Sequence, residues 1–294
     1  IAFLCEVYKI DVFTMSFPLY GLTKAIVMVG AVQFLLDTVT IDKRVKVLGY
    51  MLMLFSTGTE NISMVSFLHH ILLSPFGFDI GYAYGIFFVG VMIRQWKMDR
   101  YDGKILAGML LAWGMCVGAK APVASVLIVF AALLCFYWLI HKMWALAFGY
   151  GILILGVFLL ICRFCVGMFS VFNGNSAWTI MTYGIDHFTY MGDAEPWDFI
   201  GRCMVMKGSG NAFLGLLFRT ISLNPVLVFG MTMAGIWVVL LLYKKKICIK
   251  DVYILGAFGL TSLFGIYLWH RINAGGSSEM YFAMSALIPM SIMV

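Results

Sequence analysis

Long apolar blocks alternate with short polar clusters along the whole chain. Blocks such as VLIVFAALLCFYWLI (126–140) and ALAFGYGILILGVFLLI (145–161) carry no charged residue. Apolar runs of about 18 or more residues recur, each long enough to cross a hydrocarbon core of roughly 30 Å. The pattern predicts helices at about 16–37, 47–68, 76–95, 103–119, 122–140, 143–163, 222–243 and 251–270, with a ninth beginning at about 281. The expected fold class is an all-α, polytopic integral membrane helical bundle. It would have about 8–9 transmembrane helices and one long extracytoplasmic segment, over about 164–221.

Composition points the same way. The chain is 63% hydrophobic and 12% charged, whereas a soluble domain is roughly 45–50% apolar and about 25% charged. The formal net charge of +6 calls for no nucleic acid, because lysines and arginines in cytoplasmic loops are its ordinary cause. Lys43, Arg44 and Lys46 form one basic cluster, and Arg94, Lys97, Arg100 and Lys104 form the next. Lys142 follows, and then Lys244, Lys245, Lys246 and Lys250. An alternating path puts all four groups on one face of the cell membrane, read as the cytoplasm. Residues 1–294 read as a single transmembrane domain and as a piece of a larger protein. The chain opens on Ile1 with no signal-peptide pattern, and the closing run YFAMSALIPMSIMV is too short to span.

The opposite face then receives EVYKIDVFTM, the HHILLSP turn, the tight GAKAP turn, the GGSSEMY turn and the extracytoplasmic segment 164–221. That segment is far longer than an ordinary connection. Its mixture of aromatics and charges predicts amphipathic helices lying on the membrane surface, anchored by Trp197 and Phe213. Asn224-Pro225 opens the next span, since proline at a helix start gives up an N–H that has no partner there anyway. The stretch STGTENIS (56–63) places Thr57, Thr59, Glu60, Asn61 and Ser63 at the outer half of a span. Polar groups there must face the bundle interior or a water-filled cavity, or else the helix ends near Gly58.

The outer layer therefore gathers the unusual polar residues. Glu60 comes from the second span, His69 and His70 from the following turn, and Asp79 from the top of the third. Lys120 lies between two helices, and Arg271, Ser277, Ser278 and Glu279 flank the last turn. Ionisable groups at the membrane edge are functional candidates by default; a solvated histidine or an interfacial lysine is the ordinary alternative. Lys120 and Arg271 beside glycine-rich turns suit a phosphate. Glu60, Asp79 or Glu279 could serve as a general base. His69 and His70 with Glu60 and Asp79 raise a divalent cation as a cofactor, but adjacent histidines on a helix diverge, so no metal site is assigned. Of the seven cysteines, Cys116 and Cys135 fall in apolar spans and Cys162 and Cys165 form a C-x-x-C with no second pair, so these read as packing residues. No P-loop, dinucleotide-binding, zincin or hydrolase-elbow motif occurs.

Four stretches carry a resemblance: IDVFTMSFPLYGL, HHILLSPFGFDIG, GAKAPVASVL and GGSSEMYFAMSALIP. They look like segments of large bacterial multi-pass proteins similar to the GT-C class of membrane glycosyltransferases. The resemblance implies an enzyme that moves a sugar from a polyprenyl-phosphate donor to an extracytoplasmic acceptor in cell-envelope glycan assembly. Its partners would be that donor and the membrane lipids. It also implies that the principal catalytic carboxylate sits in a first outer loop upstream of residue 1. Lys120 and Arg271 would then hold phosphate, while Glu60 or Asp79 would orient acceptor or metal. Two other classes remain open. An O-antigen ligase or polymerase-like enzyme would act through Arg202, Arg219 and His187. A transporter or lipid flippase would show broken helices at mid-membrane and often an internal repeat. The sequence does not give the sugar, the acceptor or the oligomeric state.

Overall fold

The computed structural model describes residues 6, 19–55, 78–98, 100–164, 178–180, 225–244, 247–274 and 280–293. Helices dominate them. They are α1 (Tyr20–Val39), α2 (Lys43–Phe55), α3 (Phe78–Met98), α4 (Gly103–Ala119), α5 (Ala121–Ile140) and α6 (Trp144–Phe164), then α7 (Pro225–Tyr243), α8 (Ile249–Arg271) and α9 (Met280–Met293). Two three-residue strands, β1 (Trp178–Ile180) and β2 (Ile272–Ala274), pair antiparallel. The chain divides into two units, one of residues 1–55 and 66–168, the other of residues 56–65 and 169–294.

Local signals set the helix ends. Asp102 caps α4, its Oδ1 accepting the backbone N–H of Lys104 at 2.8 Å and of Ile105 at 3.3 Å. Those two bonds hold the Asp102 carboxyl below the usual carboxylate range. Proline falls in the first turn of α5 and at the first residue of α7, where its missing N–H is harmless. The α5–α6 link is only His141, Lys142 and Met143. The N–H of Met143 bonds to the carbonyl of Trp138 and that of Lys142 to Leu139, while Lys142 takes a left-handed φ of 59°. This is a Schellman closure with lysine at the position glycine favours.

Four described helices are long and apolar enough to cross a membrane: Tyr20–Val39, Pro122–Ile140, Trp144–Ile161 and Ile249–Leu268. Eight or nine spans were expected. Gly103–Ala119 and Leu227–Tyr243 are apolar but shorter. In α3, glycines, tyrosines and the Arg94-Gln95-Trp96-Lys97 end dilute an otherwise apolar run. The second predicted helix is described only over Lys43–Phe55, and the remainder of 47–68 lies outside the described residues. Of the segment 164–221, Phe164 closes α6 and Trp178–Ile180 is a strand; Trp197 and Phe213 lie outside the described residues.

In the first unit α3 is central and packs on α1, α4 and α5. The contacts fix direction. The ring of Phe34 lies 4.6 Å from that of Phe87, and farther along Lys97 Nζ donates to the carbonyl of Thr38 at 2.5 Å. Matching positions thus advance together, and α1 and α3 run parallel. A Cβ on Gly90 would meet Phe34 at 2.8 Å, so glycine lets these helices approach. α4 and α6 are likewise parallel: Trp113 Nε1 donates to the carbonyl of Ile154 at 2.8 Å, and Gly118 faces Ile161. Trp113 is wholly buried, and its ring lies 4.6 Å from that of Phe88. Buried Gln95 joins α3 to α6, receiving the Tyr150 hydroxyl at 2.7 Å and donating to the carbonyl of Arg100 at 2.6 Å.

These directions give the unit two distinct ends. Val39, Lys43, Met98, Gly103, Ile140 and Trp144 lie at one, and with them Arg44, Lys46, Arg94, Lys97, Arg100, Lys104 and Lys142. The basic clusters of this unit thus share one end, as the loop pattern predicted. Tyr20, Phe78, Lys120 and Phe164 mark the other.

In the second unit α8 and α9 form an antiparallel hairpin in which Gly259 faces the Met293 thioether, 3.6 Å from an added Cβ. Thr261 and Ser262 are buried on α8 and bond back to the carbonyls of Ala257 and Phe258. β1 draws part of the long segment onto the residues that follow α8, through Trp178 opposite Ala274 and Ile180 opposite Ile272. Trp178, Thr179 and Ile180 in β1 and Ile272 in β2 suit that pairing.

Two substitutions test the packing. Trp138 is as buried as Trp113, but its Nε1 has no hydrogen-bond partner among the described residues. Trp113→Phe should therefore destabilise by about 1–2 kcal/mol more than Trp138→Phe in detergent unfolding. Equal losses would contradict the contrast. Lys142→Gly should raise stability by up to about 1 kcal/mol by relieving the left-handed lysine, read as a higher thermal midpoint.

Candidate functional site

The candidate site is built around Lys120. It is the single residue between α4 and α5, extended at φ −158° and ψ 105°, and its N–H closes α4 on the carbonyl of Cys116 at 3.0 Å. One residue suffices because α5 restarts at once with a proline in its first turn. The turn is pressed against α3. A Cβ added to Gly81 would come to 2.9 Å of Lys120 Cβ and 3.2 Å of its backbone nitrogen. Only a residue without a side chain lets α3 pass this close, so Gly81 fixes where the base of Lys120 sits. Lys120 is half-buried. It is also the N-cap of α5, whose first turn turns its positive dipole end to the same surface.

A second lysine lies at this end. Lys24 is 1% exposed, on the stripe of α1 formed by Gly21, Lys24, Met28, Ala31, Val32 and Leu35, and its Nζ stands 5.1 Å from the centre of the Tyr20 ring. Carrying the α1–α3 register back from Phe34 and Phe87 puts Lys24 level with the start of α3, the stretch that holds Asp79 and Gly81. A buried ammonium is expensive without compensating groups, and a ring face supplies part of that compensation. The opening sequence reading passed over Lys24. Its signal was a single basic residue inside the apolar run 16–37, whose other charge, Asp37, stands at the very end.

The remaining candidates separate. Asp79 is the second residue of α3, in the same turn as Gly81. Arg271 closes α8 in the other unit and abuts β2. Glu60, His69, His70, Ser277, Ser278 and Glu279 lie outside the described residues, as do Arg202, Arg219 and His187. Among the described residues no three of His, Cys, Asp and Glu gather as a metal site would require. Cys116 is wholly buried and Cys135 partly so, both among apolar neighbours, in keeping with a packing role.

Chemically, this end of the first unit presents the Lys120 ammonium and helix N-termini on a close-packed backbone, with the Lys24 ammonium buried within α1. That set favours an anion over a cation or a neutral ligand. Comparison with protein-family models, with curated proteins and with solved structures gave no match. The functional reading therefore rests on the residues themselves.

The geometry makes Gly81 a sensitive probe. Gly81→Ala should push the Lys120 turn away from α3, because the clash includes backbone nitrogen and cannot be relieved by a rotamer change. The expected result is a lower thermal midpoint together with altered reactivity of Lys120 toward an amine-labelling reagent. Unchanged labelling and stability would show that the contact does not position the turn.

Proposed function

We propose that this chain belongs to a membrane-embedded glycosyltransferase of the GT-C kind, which binds a polyprenyl-phosphate sugar donor at the Lys120 end of its first unit. The observation that carries the reading is the placement of Lys120 and buried Lys24 at one end, with the loop lysines and arginines of that unit at the other. Under the rule that basic loops stay in the cytoplasm, the Lys120 end opens to the extracytoplasmic side, where lipid-linked donors are consumed.

In the proposed transfer an acceptor hydroxyl attacks the anomeric carbon of the donor sugar. Its proton passes to a carboxylate, for which Asp79, in the same turn as Gly81, is the candidate in this unit. The bond from the anomeric carbon to the lipid-phosphate oxygen breaks, and the phosphate leaves with the electron pair. Lys120 then balances the charge that grows on that phosphate, which lowers the barrier more than it stabilises the bound donor. Lys24 raises the positive potential beneath it.

The test is transfer from a radiolabelled polyprenyl-phosphate sugar in membranes bearing the full-length protein. Lys120→Ala should lower turnover by about 100-fold, the scale of removing one charge-stabilising donor, and Lys120→Arg should recover part of it. Both variants are checked for an unchanged thermal midpoint. Wild-type turnover in a folded Lys120→Ala protein removes Lys120 from the chemistry.

A further inference from the structure

At the opposite end of the first unit lies a second charged surface, which the proposed transfer does not use. Its bases differ in what they do. Lys46 is paired with Asp37 at 2.5 Å, and Asp37 also accepts from Gln33 at 2.6 Å. Lys97 donates to the carbonyls of Thr38 and Val39 and so closes the C-terminus of α1. Those two lysines hold α1, α2 and α3 together. Arg100, Lys104 and Lys142 lie apart from those helix-joining contacts, and all three are exposed.

A series of contacts links the segments that carry these three at this end of the unit. The Arg100 carbonyl is held by Gln95, and Gln95 is held by Tyr150 of α6. Tyr150 packs on Trp138 with ring centres 5.5 Å apart, and Trp138 is the residue whose carbonyl closes the turn that presents Lys142. Lys104 stands in the first turn of α4, directly after Asp102. Asp102, held ionised by two backbone N–H groups, interacts with Lys104 and Arg100 and offsets one of the three positive charges, which leaves the cluster basic. Exposed aromatics border the cluster. Tyr101 is 58% exposed, and Trp144 is 55% exposed with its ring stacked on Phe148 at 5.9 Å. Below them α6 shows outward apolar residues, Ile152, Leu155 and Leu159. Basic groups, then amphipathic rings, then an apolar face is the order in which a bilayer presents anionic headgroups, interface and acyl chains.

We infer that Arg100, Lys104 and Lys142, bordered by Tyr101 and Trp144, form a binding site for the headgroup of an anionic glycerophospholipid, whose acyl chains lie along α6. The guanidinium and two ammonium groups meet the phosphodiester, and the rings sit at the glycerol level. The link through Gln95 and Tyr150 makes the site depend on the α3–α6 contact, so an occupied site ties those helices together. This inference stands apart from the sugar-transfer reading, which concerns the other end of the unit.

The experiment is native mass spectrometry of the full-length protein in detergent, titrated with phosphatidylglycerol or with phosphatidylcholine of the same chain length, alongside thermal melts. Each basic residue near an anionic lipid is worth roughly a fivefold change in binding. An Arg100→Gln, Lys104→Gln, Lys142→Gln triple variant should therefore hold phosphatidylglycerol about 100-fold more weakly and lose its thermal protection, with phosphatidylcholine binding unchanged. Should the triple variant misfold, Lys104→Gln alone should give the fivefold loss and Lys104→Arg should restore it. Raising salt should weaken the wild-type site. Equal binding of the two lipids by the wild type, or full phosphatidylglycerol binding by the folded variants, overturns the proposal.

Discussion

A polar group shut away from water must find its partner within the chain. In a fold this apolar that requirement shapes nearly every feature. The helices exist because each satisfies its own backbone. Several side chains that bring a polar atom inside hand it to a neighbour, Trp138 Nε1 being an exception among the described residues: Trp113 bonds to the carbonyl of Ile154, Tyr150 to Gln95, and Gln95 to the carbonyl of Arg100. Thr261 and Ser262 meet the same need by bonding back along their own helix. The bonds that cross between helices also set register, because each couples one level of a helix to one level of its neighbour. With the Phe34–Phe87, Lys97–Thr38 and Gly118–Ile161 contacts, they leave α1 parallel to α3 and α4 parallel to α6.

Charge is then sorted along the first unit's length. At one end Lys97 closes a helix and Lys46 pairs with Asp37, while Arg100, Lys104 and Lys142 are left exposed beside amphipathic rings. At the other end two lysines enter places that a random apolar bundle would not give them. Lys24 lies inside the α1 face and Lys120 in a one-residue turn. Close packing at Gly81 makes the second of these possible, since a larger residue there would open the turn. The two ends thus offer different chemistry to anions: a rigid, partly buried surface at one, an open and aromatic-bordered one at the other.

Much of this was legible from the order of residues. Helix positions from α3 onward fell within a few residues of the apolar runs, and the GAKAP turn fell where glycine and proline bracket a charge. The span count was less legible. A run such as Phe78–Met98 is helical and packed, but it draws on tyrosine, glycine and a charged end, and only four described helices reach the length and apolarity of a membrane crossing. Lys24 shows the opposite failure. A single charge in an apolar run draws little notice, because the sequence does not say whether it faces lipid, a neighbour or a ring. The short β1–β2 ladder was beyond reach as well, since its strands lie far apart in the chain and carry no more than three residues each.

The sequence by itself determined the helical, membrane-spanning character of the protein, most of the described helices and the gathering of the first unit's basic loops at one end, because these depend on local quantities: run length, hydropathy, caps and breakers. The tertiary structure alone decided which helices run parallel, that Gly81 lies against the Lys120 turn, that Lys24 is buried, and that Arg100 and Lys142 are tied to one network. Those facts depend on contacts between residues distant in the chain, where one glycine or one hydrogen bond chooses among packings that the apolar pattern allows equally.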